Sequence, residues 1–234
     1  METRYTSKER KIYDLLPDGR VRIYYDEQES TETVVTVDRE TEQEHSETYP
    51  IYLYLVADAD SISRADLIVA LVRTRYTEDD ELAVQRQRDD KPGDYNAYNA
   101  FVEWCKAYTL RITEGDSLAT AKAIKCAELG QYDASDDVNA FLVNGTPMWL
   151  SPNRRSNLGR ACESLKAQGV TEVPFAGLTL PVDDALAMLS AIEGYAALTT
   201  FVTDTHSSNI NALETVEAVE AYDYTVSYPP KLEF

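Results

Sequence analysis

The feature that most limits what this chain can fold into is a change of hydrophobic period close to residue 60. Tyr49-Pro50-Ile51-Tyr52-Leu53-Tyr54-Leu55-Val56 is an extended run, and in a strand successive side chains point to opposite faces. Ile51, Leu53 and Leu55 then face one side and Tyr52, Tyr54 and Val56 the other. Both faces are apolar, so the strand is expected to be central in its sheet or covered. From Ser61 onward Leu67, Ile68, Leu71 and Val72 recur at helical spacing. Strands first and helices afterwards predict an α+β fold.

The strands before that point read as an antiparallel β-meander over residues 11–56. Pro17-Asp18-Gly19 is a turn signal. After it Val21, Ile23 and Tyr25 alternate with Arg20, Arg22 and Tyr24, and Thr33-Val34-Val35-Thr36-Val37 is rich in β-branched residues that suit a pleated surface. The polar stretch 38–48 reads as a mobile hairpin tip.

In the helical part, Ser63 with Asp66 marks an N-cap. Thr77 with Asp79 and Asp80 marks a second cap, and Lys91-Pro92-Gly93 a break. Asp94 then opens a helix whose apolar stripe runs Tyr98, Phe101, Val102, Cys105, Tyr108 and Ile112, with Gly115 as its end. Ser117 caps a last helix through Leu129. Gly130-Gln131-Tyr132-Asp133 reads as a domain boundary. Beyond it, Asn144-Gly145 predicts a two-residue type I′ turn between strands over 138–143 and 146–150. A helix over 152–168 is stopped by Gly169. A second hairpin is centred on Ala176-Gly177, a helix runs from Asp183 to about Val202, and another from Ile210 to about Tyr222. Pro229-Pro230 keeps the tail extended. The expected organisation is a β-rich domain over 1–60, a helical region over 61–130, and a C-terminal domain of two β-hairpins with three helices over 131–234.

Charge and composition narrow the function. With 41 acids against 22 bases the net charge is −19, which repels phosphate and argues against nucleic acid and anionic membranes as partners. Arg154, Arg155 and Arg160 are spread around a helix and read as a solvated face. No run approaches the roughly 18 apolar residues of a membrane span, and the first residues lack the apolar centre of a signal peptide. Cys105, Cys126 and Cys162 each fall in a helical pattern and read as buried or half-buried thiols without a disulfide framework. His45 and His206 are the only two histidines. Neither has a second imidazole at zinc-site spacing, so a metal shared by Asp204 and His206 is the weaker reading beside a capping or solvated histidine. Nucleophile elbows, phosphate loops and paired CxxC motifs are absent. No catalytic residue, cofactor or metal is therefore expected. Sixteen tyrosines against five phenylalanines suit half-buried sheets and protein interfaces.

Four blocks in order carry a resemblance. They are Tyr132 to Leu150 (YDxSDxVNxFxVNGxPMWL), the arginine-bearing helix after it, Asp183 to Ala196 (DxALxMLxAIExYA), and Leu213 to Phe234 (LxTVEAVEAYDYxxxYPxKLxF). Together they resemble an uncharacterised C-terminal domain family of phage and prophage tail-associated proteins, mainly from gut Bacteroidales. More weakly, the opening SKERKIYDLLPDGRVRIYY and the block RADLIVALVRTRYTEDDELA resemble proteins encoded beside tail-fibre or late structural genes. The resemblance implies a non-catalytic virion component of the tail, baseplate or tail fibres, with other virion or tail proteins as partners and a homo-oligomeric assembly. A tail-fibre assembly chaperone and, less favoured, a host-surface glycan-active enzyme are the alternatives. Tyr52, Tyr54, Trp149, Tyr228 and Phe234 are the expected interface residues, and the extended YPPKLEF tail is suited to docking on neighbours.

Overall fold

A computed structural model describes residues 4–37 and 44–234. It is mixed α and β, with strands gathered in an antiparallel sheet near the start, helices after it and small hairpins later. By contacts between residues the chain divides into two compact units. The first comprises residues 1–78 and 108–116, the second 79–107 and 117–234. The helical residues 61–130, expected as one region, are thus shared between the two.

The first unit is built on a four-stranded sheet of β1 (Tyr5–Ser7), β2 (Tyr13–Leu15), β3 (Val21–Val37) and β4 (Glu44–Ala59), in the order β1-β4-β3-β2. The Pro17-Asp18-Gly19 turn joins β2 to β3, and Gly19 takes the left-handed conformation (φ 89°) there. β1 extends the sheet beyond the expected meander by pairing Tyr5 with Tyr54 and Ser7 with Tyr52. The two-faced strand is therefore interior at these positions. Val21, Ile23, Ala57 and Ala59 are fully or almost fully buried, as are Leu67, Leu71 and Val72 of α1 (Arg64–Val72), which packs on β4. The Ser63 hydroxyl accepts from the Asp66 amide, the cap read from the sequence. The short helix α4 (Leu110–Thr113) contributes buried Ile112.

In the second unit, α2 (Glu78–Arg86) leads to α3 (Pro92–Tyr108). Helix α3 opens at Pro92, two residues before the expected start, because proline is well placed where a helix needs no N–H donor. Helix α5 (Leu118–Asp133), capped by Ser117, runs through Gly130. The expected boundary at 130–133 is therefore helix. A glycine inside a helix costs only about 1 kcal/mol, and Tyr132 beyond it packs against Tyr224 and Tyr228.

After the one-turn helix α6 (Asp136–Asn139) come β5 (Phe141–Val143) and β6 (Thr146–Met148), joined by Asn144 and Gly145 at φ 48° and 75°. Val138 and Asn139, expected in the strand, fall in α6 because Ser135 caps its first turn. Helix α7 (Pro152–Ala167), β7 (Glu172–Phe175) and β8 (Leu178–Pro181) follow the sequence pattern closely.

The long helix α8 (Val182–Ala212) continues where a break was expected near His206, and only α9 (Val216–Glu220) follows it. The hydroxyls of Thr200, Thr205 and Ser208 donate to carbonyls four residues back, which satisfies them inside the helix without stabilising it; the burial of His206 and Ile210 holds the stretch in place. By length and composition α8 meets the requirement for a membrane span, contrary to the sequence expectation. Its most apolar stretch is 28% buried, and α8 contributes to two cores. Its first half (Val182, Ala185, Leu189, Ile192) packs with Phe141, Val143, Cys162, Val173 and Phe175. Ile210 near its end packs with Ala121, Leu129 and Val219.

Candidate functional site

The most distinctive surface is the outer half of the β3–β4 hairpin. Opposite Tyr54, β3 carries extra residues at Asp26 and Glu27, and Asp26 adopts φ 54°. Such a bulge interrupts the ladder and sharpens the twist. Beyond it the strands pair from Ser30↔Ile51 to Val37↔Glu44. These eight pairs span roughly 25 Å at about 3.3 Å per residue. Over that length no third strand joins either edge among the described residues. Residues 26–36 and 46–50 are all exposed.

An arm of this kind leaves backbone donors and acceptors along both edges, which is a template for pairing with another chain. Neighbouring Val34 and Val35, pointing to opposite faces, are both exposed. Thr33 and Thr48 face each other with hydroxyls 3.1 Å apart. The arm is acidic, with nine Asp or Glu and one Arg between residues 26 and 50. Acidic side chains along an open edge discourage random pairing and select for a partner that brings cations.

At its base the arm is anchored by polar contacts across three strands. Arg22 donates through Nε and Nη2 to the two carboxylate oxygens of Asp58 at 2.7 and 2.9 Å. On its other side Arg22 is in register with Asp14, whose Oδ2 accepts from Lys11 Nζ and from the Tyr24 hydroxyl, both at 2.6 Å. Lys11 first, and Tyr24 next, hold the Asp14 carboxyl below its ordinary value. The Arg22 guanidinium does the same for Asp58. The buried Tyr108 hydroxyl donates to the Tyr24 carbonyl, and burial raises the pKa of Tyr108.

The expected interface residues separate into different roles. Tyr52 is half-buried beside the arm, with the Arg10 guanidinium 5.5 Å from its ring centre. Tyr54 is not available to a partner: it is 1% exposed, because the base of the sheet closes over it. Its hydroxyl accepts from the Lys11 amide and donates to Glu27, at 2.8 and 3.0 Å, and burial pushes its pKa up to about 12.

In the second unit, Tyr228 is half-buried over His206, ring planes 29° apart, and its hydroxyl lies 2.9 Å from that of Thr203. Phe234 meets Phe141 edge-on and joins the larger core. The tail does dock, but on its own chain. The Leu142 amide donates to the Leu232 carbonyl, the Phe234 amide to the Leu142 carbonyl, and the Asn144 amide to the Phe234 carbonyl. The extended tail thus adds as a parallel segment beside β5. Only Trp149 lies open to a cleft, described below.

His206 is buried and doubly bonded, with Nδ1 2.7 Å from the Tyr222 hydroxyl and Nε2 2.9 Å from the Val226 carbonyl. The carbonyl can only accept, so Nε2 carries a proton. The ring ties the chain after α9 back onto α8 and has neither nitrogen to spare for a metal. The three cysteines are free thiols, Cys105 and Cys162 buried and Cys126 half-buried. Arg155 is half-buried and bridges the Leu150 carbonyl and Glu193, so it is no part of a solvated basic face.

Comparison with protein-family models, curated proteins and solved structures finds no match to this chain.

Proposed function

We propose that this protein is a structural or adaptor subunit of a bacteriophage particle, in the tail, baseplate or tail fibres, and that it acts by docking on other proteins without a catalytic step. The observation that carries the reading is the β3–β4 arm, open along both edges and exposed on both faces. Such an arm gains stability when a neighbour covers it. The place in a phage particle comes from the resemblance of the blocks between Tyr132 and Phe234. The exposed pair Leu198 and Phe201, on one face of α8, offers a second apolar surface for another copy of the chain.

Purified particles carry the test. Quantitative mass spectrometry is expected to find the chain at a fixed copy number, and a variant lacking residues 30–50 is expected to fold but be missing from particles. Absence of the intact protein from particles sinks the virion reading. If it is instead recovered with unassembled fibre subunits, the assembly-chaperone alternative takes its place.

A further inference from the structure

A cleft of about 890 Å³ opens in the second unit between the first turns of α3 and α7, beside α6. Its volume falls within the roughly 300–1,000 Å³ usual for small-ligand sites. Trp149 forms one wall and is only half-buried. Gly93, in the first turn of α3, lies against the indole. A Cβ there would sit 3.5 Å from Cε3 and 3.6 Å from Cζ3 of Trp149, so any longer side chain would lie over the ring. The amides of Asn96, Asn153 and Asn157 line the cleft together with the carboxylates of Asp94 and Asp136. None of these five side chains spends its polar atoms on a hydrogen bond within the described residues.

We propose that this cleft binds an uncharged sugar chain. A pyranose ring has a face of C–H groups that packs on an indole, and a rim of hydroxyls that both donate and accept. Trp149 supplies the flat apolar wall. The carboxylates accept from hydroxyls, and the amides do both. The charge balance excludes the other obvious ligands. Asp89, Asp90, Asp94 and Asp136 outnumber Lys91 and Arg154 around the cleft, so a phosphate or an acidic sugar is repelled. A cation would meet the Lys91 ammonium and the Arg154 guanidinium beside the carboxylates, and no group of three or more His, Cys, Asp or Glu among the described residues could hold a metal ion. A neutral polyol satisfies both sets. Binding here involves no bond-making and is independent of where the protein assembles, since the cleft and the arm belong to different units.

The test is a printed array of neutral and acidic bacterial and mammalian glycans probed with the full chain. Titration of cellohexaose, chitohexaose, maltohexaose and mannohexaose, followed by tryptophan fluorescence, completes it. The expected result is retention of at least one neutral oligosaccharide with a change in emission. Trp149→Ala is expected to weaken that binding at least tenfold. Gly93→Leu, which covers the indole without removing it, is expected to do the same and keeps the test decisive should the tryptophan variant not fold. Trp104→Phe removes the only other tryptophan and is expected to leave affinity unchanged. Retention of acidic glycans alone, no binding of any neutral glycan, or neutral binding that survives Gly93→Leu in a folded protein overturns the proposal.

Discussion

Two of the antiparallel hairpins, β3–β4 and β5–β6, teach opposite lessons about what stabilises a strand pair. The β3–β4 hairpin has strands of 17 and 16 residues, yet residues 26–36 and 46–50 of its outer half are all exposed. The β5–β6 hairpin has strands of three residues each, yet Phe141 and Val143 are 1% and 4% exposed. The short hairpin is closed on one edge by the chain's own C-terminus, through the three backbone bonds around Leu142. A ladder of hydrogen bonds contributes little net stability, because water competes for the same groups. Burial contributes most of it. The long hairpin therefore has reach, and the short one has rigidity.

Several substitutions would break or sharpen that contrast. The largest effect is expected for Phe141→Ala, which empties the centre of the main core and should cost about 3–5 kcal/mol, read as a lowered urea midpoint. A smaller loss there would mean the short hairpin is not held by burial. Phe234→Ala removes a ring that is only half-buried, so roughly 2 kcal/mol is expected, with faster hydrogen exchange at the Leu142 and Asn144 amides as its local signature.

The base of the arm should respond to pH at both ends. The Asp14 and Asp58 carboxyls titrate lower in the folded protein than in an unfolded chain. Their contribution is therefore present above about pH 4 and lost as pH falls through the folded values. Tyr54 is shifted the other way, up to about 12, so its contribution is complete below about pH 10 and lost as pH rises past 12. Urea midpoints across this range are expected to fall at both extremes, and Asp58→Asn to flatten the acid limb. The smallest effect on stability belongs to the arm. Val34→Ser with Val35→Ser should change unfolding free energy by less than about 1 kcal/mol in the isolated protein, while reducing incorporation into particles. A large loss of stability would mean the arm is already covered.

Much of the local structure was legible from the residues. The Ser63 and Ser117 caps, the Asn144-Gly145 and Ala176-Gly177 turns, and the stop at Gly169 follow from short-range chemistry, and each element begins or ends there. Three departures from the sequence pattern come from tertiary contact. Gly130 stays helical because Tyr132 is held by the tail. The region around His206 stays helical because the buried ring is held by Tyr222 and Val226 and Ile210 packs into the second core. β1 is too short to announce itself and exists because β4 offers it an edge.

The candidate site divides the same way. The acidity and β-branched character of the arm are visible in the residues, as is the presence of an aromatic anchor at Trp149. Which aromatic groups stay accessible is not visible, because a tyrosine on an alternating strand reads identically whether its ring meets solvent or another ring. The sheet closed over Tyr54, and the main core took up Phe234. The α+β class, the turns and caps, and the charge are already set by the order of residues along the chain. That the tail folds home, that no third strand covers the arm among the described residues and that Trp149 faces a cleft all depend on packing. Caps and turns involve neighbours a few residues apart, whereas exposure depends on residues far apart in the chain.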